Sequence, residues 1–221
     1  MNKKIVILAM SEKYGNFCVA GIDVNTGEWV RPYSYNKETF GAVPLEHMIY
    51  ENGRQAKIFD VVKIQFDNSC ENFVQPENYY YNEAVKWQKV DQLNLVEVVK
   101  LHSFDDREKI FFNHERRVTY QEIKLNKNRE SLLMLYVTDL NVIVSNSPLD
   151  NRKRIRLSFN HEGANYSGFS ISDINIKEEY LNKSEGSYPF AQKAAIVASL
   201  TDKYKDGKYY KMAAQFLSIK K

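Results

Sequence analysis

Cysteine is scarce in this chain of 221 residues: only Cys18 and Cys70 occur, and neither belongs to a Cys-x-x-Cys pair or a Cys/His run. That excludes a dense disulfide framework and the spacing of a structural zinc site, and it suits a reducing, cytoplasmic compartment. Long apolar runs are missing too. No window approaches the ~20 apolar residues of a membrane span, so no membrane partner is expected. The short run Ile5–Met10 is below the ~7–15 residues of a signal-peptide core and reads as a first strand. Phosphate-loop, GxGxxG, HExxH and GxSxG motifs are absent, and His47, His102, His114 and His161 are scattered. No catalytic residue, metal ligand set or cofactor is therefore assigned, and binding is favoured over catalysis. Charge bias is small as well. Lys and Arg number 31 against 28 Asp and Glu, a net +3. A phosphate-binding surface would have to come from local clustering.

What the chain does have is β-pattern. Phe17–Val24 and Glu28–Tyr33 flank Asn25-Thr26-Gly27, and Ala195–Ile219 repeats the plan around Asp206-Gly207, so both ends read as hairpins. Asp60–Phe66 alternates cleanly, Leu95–Leu101 is a further strand candidate, and Tyr79–Trp87 reads as a strand or a short helix. Residues 34 to 58 read as a long loop with one helical turn. Ser103-Phe-Asp-Asp106 fits a capping box, and Ile110, Phe111, His114 and Val118 make an apolar stripe, which predicts a helix over 104–116 with His114 packed or half-buried. A polar stretch, Thr119–Glu130, marks the boundary between domains 1–128 and 129–221. In the second half, Leu132–Val144 predicts a strand bent near Thr138-Asp139. Arg152–Phe159 and Tyr166–Ile171 predict a hairpin around Glu162-Gly163, and 177–182 a helical turn. The fold class is mainly β, two barrel-like domains with a short helix near their junction.

Several of these segments also carry a family likeness. Lys13-Tyr14-Gly15, Cys18-Val-Ala-Gly-Ile22, Gly27-x-Trp29-x-Arg31-Pro32, then Ser199-Leu200, the Asp206-Gly207 turn and Tyr210-Lys211-Met-Ala-Ala214 resemble the bacterial dual OB-containing domain family. The resemblance spans nearly the whole chain, anchored at both ends and weak in the middle. It implies two OB-like barrels in tandem and an association with nucleic acid, with phage conflict or nucleic-acid repair as the setting.

Candidate contacts follow from the strand pattern. Arg152, Arg154 and Arg156 share one strand face while Ile155, Leu157 and Phe159 face the core, so three guanidiniums can track phosphates; a charged edge that blocks strand pairing is the plainer reading. Trp29 and Arg31 share a face at a strand end, with Lys13 and Tyr14 in the preceding turn. Trp29 is then either a ligand-facing aromatic or a core anchor. Lys211 shares a face with Tyr209, as a phosphate contact or a snorkelling surface lysine. Exposed tyrosines near these cations would stack unpaired bases. A single-stranded or structured DNA or RNA is the expected partner; a nucleotide-like small ligand, sensed or turned over, and a protein partner are the alternatives.

Overall fold

The computed structural model describes every residue except Glu71, Leu149 and Lys221, and the side chain of Ile174. The chain divides into two compact units, Met1–Ser103 and Phe104–Lys221. In the first, β1 (Asn2–Lys13), β2 (Asn16–Asp23) and β3 (Trp29–Tyr33) form an antiparallel meander, and β4 (Asp60–Ser69) and β5 (Asn78–Tyr81) complete it. Strand β3 pairs parallel with β5, β5 antiparallel with β4, and β4 returns to β1, closing a five-stranded ring in the order 1-2-3-5-4. That closed order is an OB-like barrel. The period of two that marked β4 places Val62, Ile64 and Phe66 in the core with Ile5, Ile7, Val19, Val30, Tyr81 and Trp87. Strand β6 (Gln88–Gln92) extends β4 outside the ring, and helix α1 (Leu95–Leu101) follows.

The second unit opens with β7 (Arg117–Val118) and α2 (Tyr120–Leu125), and its ring is built by β8 (Leu132–Asn146), β9 (Lys153–His161), β10 (Ala164–Ile171), β11 (Gly186–Leu200) and β12 (Tyr209–Lys220). Helix α3 (Ile174–Leu181) lies between β10 and β11. The pairings β8–β9–β10, parallel β10–β12, then β12–β11–β8 repeat the order of the first unit. Both hairpins expected in this half are present. Glu162 and Gly163 take φ of 45° and 79°, the left-handed pair of a two-residue turn, and β8 bends at Asp139, whose φ is 52°. Phe159, Tyr166 and Phe169 form an aromatic core, with ring centroids 4.9 to 5.9 Å apart.

Three expectations are corrected. Residues 104–116 are not helical. Asp105 turns back to receive the backbone N–H and guanidinium of Arg107, and its own N–H donates to Met134 O on β8. The Ile110 N–H donates to the Tyr166 hydroxyl, and Phe111 sits at φ 56°. Side-chain and cross-chain partners thus replace the helical ladder, and His114 is exposed. Second, Leu95–Leu101 is a helix. Asn94 accepts from the N–H groups of Val96 and Glu97 while the Glu97 carboxylate accepts from the Asn94 N–H, a capping box that outweighs the β-branched run. Third, the units part after Ser103 rather than after 128, because the 104–128 segment is bonded into the second barrel. Among the described residues no helix is long and apolar enough to cross a membrane.

Candidate nucleic-acid interface

Along β9, Leu157, Phe159 and His161 are buried, which turns Arg154 and Arg156 to the outer face as alternation requires. Arg152 precedes the strand and is freely exposed. Asp150 sits at the base of this stripe, 2.7 Å from Arg154 and 3.9 Å from Arg152. The Arg154 hydrogen bond, with one from Ser147, holds the Asp150 carboxyl down to about 2. Arg156 has no such relief: burial, then the charges of Arg116 and Arg154, pull its proton affinity below the usual arginine value. Among the described residues neither Arg116 nor Arg156 has an acidic partner within 4.0 Å.

Arg116 lies in the segment that the sequence pattern assigned to a helix, which hid its place on this face. Its guanidinium stands over the Tyr210 ring, 5.6 Å from the centroid. Its stem crosses β10 where Gly168 has no side chain: a Cβ there would come within 3.1 Å of the Arg116 Cδ. Tyr210 faces outward on β12 and donates to Asp206. Two unneutralised guanidiniums and a tyrosine ring therefore share one outer face of the second barrel.

Lys211 and Tyr209 point the other way. Tyr209 is buried, and Lys211 is fully enclosed within the barrel, so neither is the surface contact expected. Lys211 Nζ donates to Asn113 O at 2.6 Å and to Asn113 Oδ1 at 2.8 Å. Burial brings its ammonium down to about 7, against the pull of Glu122 and Glu115. Two more buried polar side chains tie the same segment to the barrel. The Tyr166 hydroxyl donates to Glu108 O, and both ring nitrogens of His161 face carbonyl oxygens, of Tyr136 and of Arg107, at 3.1 Å.

In the first unit Arg31 is not a free cation. It is buried on β3, its guanidinium 3.2 Å from the Glu77 carboxylate, its backbone N–H donating to Glu77 O. A charge paired in this way is a structural strut between β3 and β5. Trp29 is half-buried, edge-on to His102 at 5.5 Å, while His102 Nδ1 meets Gly27 O at 2.9 Å. Arg31 and Lys211 belong to different units. Tyr14 lies in the turn before β2. It occupies the first position of the two-residue β1–β2 turn at φ 52° and is 77 % exposed. Phe40, also exposed and also at φ 52°, packs against it with centroids 5.3 Å apart, and Lys13 Nζ donates to Phe40 O. Left-handed backbone costs a non-glycine residue about 1–2 kcal/mol. Two aromatic rings are thus shown to solvent at a cost in strain.

No curated protein and no solved structure matches this chain. The family model described as "Dual OB-containing domain" matches residues 3–216. With two rings of the same 1-2-3-5-4 order across that span, the chain belongs to the dual OB-containing domain family.

Proposed function

We propose that this protein binds single-stranded nucleic acid on the outer face of its second barrel, with Arg116, Arg154 and Arg156 meeting phosphates and Tyr210 meeting a base. The observation that carries this reading is the crowding of Arg116 and Arg156 with no acidic partner among the described residues. Like charges held together repel unless an anion joins them, and a phosphate backbone is an anion of the right spacing and hydrogen-bonding geometry. Stacking on tyrosine adds ~1–3 kcal/mol per base without sequence preference. In the first barrel, Tyr14 and Phe40 beside Lys13 supply a second aromatic contact. Arg152, exposed beyond the strand end, belongs to the rim of the phosphate track. The compartment in this reading is the cytoplasm, and the processes served are phage conflict or nucleic-acid repair, both resting on the family likeness and composition.

The test is fluorescence anisotropy of labelled (dT)20 and (U)20 over a salt series. The expected result is a log–log slope of about −0.7 per phosphate neutralised. Replacing Arg116, Arg154 and Arg156 together with Gln should flatten the slope by about two units and weaken binding to every sequence alike. Salt-independent binding, or a triple variant with the wild-type slope, would overturn the reading.

A further inference from the structure

Among the described residues Lys211 is the one fully buried lysine, and the binding face as described makes no direct use of it. Its surroundings converge on Arg116. From the interior, Nζ holds Asn113 through both the backbone oxygen and Oδ1. Asn113 Nδ2 in turn donates to Arg117 O at 3.0 Å and to Glu122 Oε1 at 2.7 Å. Along the backbone, the Lys211 N–H donates to Arg116 O at 3.0 Å, and β12 pairs Tyr210 with Arg117. Both sides of Arg116, and Arg116 itself, are therefore fastened to one strand position. The neighbouring position on that strand, Tyr210, turns outward and lies beneath the Arg116 guanidinium.

We infer that Lys211 is a positioning residue for the cationic face: clamped on Asn113 from inside the barrel, it fixes the 113–117 segment so that Arg116 stands over Tyr210, where a phosphate is met. The inference rests on the nucleic-acid reading above. The charged groups that face the amine are Glu122 on α2 and Glu115 in the segment itself, and the Tyr166 ring of β10 lies 5.6 Å away. None of them replaces the clamp. Glu122 is already engaged by Asn113 and by the N–H and hydroxyl of Thr119. Without donors at position 211, the Asn113 backbone oxygen loses its Nζ bond and Oδ1 keeps only the Glu115 N–H, so the segment loses its tie to the barrel interior and is held by Asn113 Nδ2 and its backbone pairing.

The experiment measures (dT)20 affinity of the full chain across the salt series, with near-UV circular dichroism as the check on folding. Arg116→Gln sets the scale, a slope loss of about 0.7 for one phosphate. Lys211→Met, which keeps the volume but not the donors, should show the same loss although the residue is buried. The double variant should lose no more than Arg116→Gln alone, because both act on one contact. Asn113→Ala attacks the clamp from the loop side and decides the matter if Lys211→Met does not fold; it should reproduce part of the slope loss. Lys211→Arg, which retains donors, should recover some of it. A folded Lys211→Met or Asn113→Ala with the wild-type slope, or losses that add to those of Arg116→Gln, would overturn the positioning role alone. A wild-type slope in Arg116→Gln itself would overturn the binding reading and this inference with it.

Discussion

A lysine enclosed in a barrel changes how stability answers to pH. Lys211 is lowered from its ordinary 10.5 to about 7 in the native state, so between those values the unfolded chain holds a proton that the folded chain does not. Stability then rises with pH through that window, at no more than about 1.4 kcal/mol per unit for a single proton. Below pH 7 the group is charged in both states and its contribution no longer varies. Urea unfolding of wild type and Lys211→Met at pH 7, 8 and 9 isolates the effect, since other titrating groups cancel in the difference. Wild type should gain on the variant by on the order of 1 kcal/mol per unit. A gap that stays constant or narrows would mean that the amine is solvated in the folded state. Arg31 teaches the complementary lesson. A cation beside a Trp on a strand invites a ligand, but Glu77, next to the Asn78 that lies 47 residues along the chain, already occupies the guanidinium.

At the scale of elements, the β1–β2 turn sets display against stability. Two-residue turns of this type favour Asn-Gly, yet Tyr14 stands where Asn would be unstrained. Tyr14→Asn should raise the melting temperature, by an amount corresponding to about 0.5–1 kcal/mol, and at the same time weaken (dT)20 binding. Thermal unfolding and anisotropy on one preparation check both, and a variant that gains stability with unchanged affinity would remove Tyr14 from the interface. Turns were also what the sequence made plain. Glu162-Gly163, Asn25-Thr26-Gly27 and Asp206-Gly207 fix their hairpins through local backbone preferences, which need no knowledge of the rest of the chain. Helices were not legible in the same way. Val96, Val98 and Val99 mimic a strand, and only the Asn94–Glu97 box reveals α1; Ile110 and Phe111 mimic a helix stripe, while the partner of the Ile110 N–H lies more than 50 residues on, at Tyr166. The site divides along the same line. Alternation on β9 placed Arg154 and Arg156 outward, because Leu157 and Phe159 belong in the core. On β12, Tyr, Lys, Met and Ala leave the two faces nearly equal in polarity, so the inward turn of Lys211 and the contribution of Arg116 were hidden.

For the whole molecule, the division after Ser103 predicts which fragments fold. Residues 104–221 carry their own cover of the barrel end, with Tyr166, His161 and Lys211 all satisfied from the 105–117 segment. Expressed alone, 104–221 should unfold cooperatively, whereas 129–221 leaves the Tyr166 hydroxyl and the Lys211 amine without partners and strips His161 of the Arg107 oxygen, each loss costing about 1–3 kcal/mol, and should not. Denaturant curves of the two fragments compare them directly; equal stability would show that the 104–128 segment is dispensable. Each ring, finally, is completed by a short parallel seam: three residue pairs join β3 to β5, and two join β10 to β12. The β1–β2, β8–β9 and β11–β12 junctions are long antiparallel ladders, but these seams join segments more than 40 residues apart, as Ser172 and Ala213 do. Entropy of chain closure makes such rungs the last to form and the first to part. A barrel can therefore unzip at its seam with all hairpins intact, baring two strand edges at once. Under warming or crowding, exchange of strands between copies would begin there.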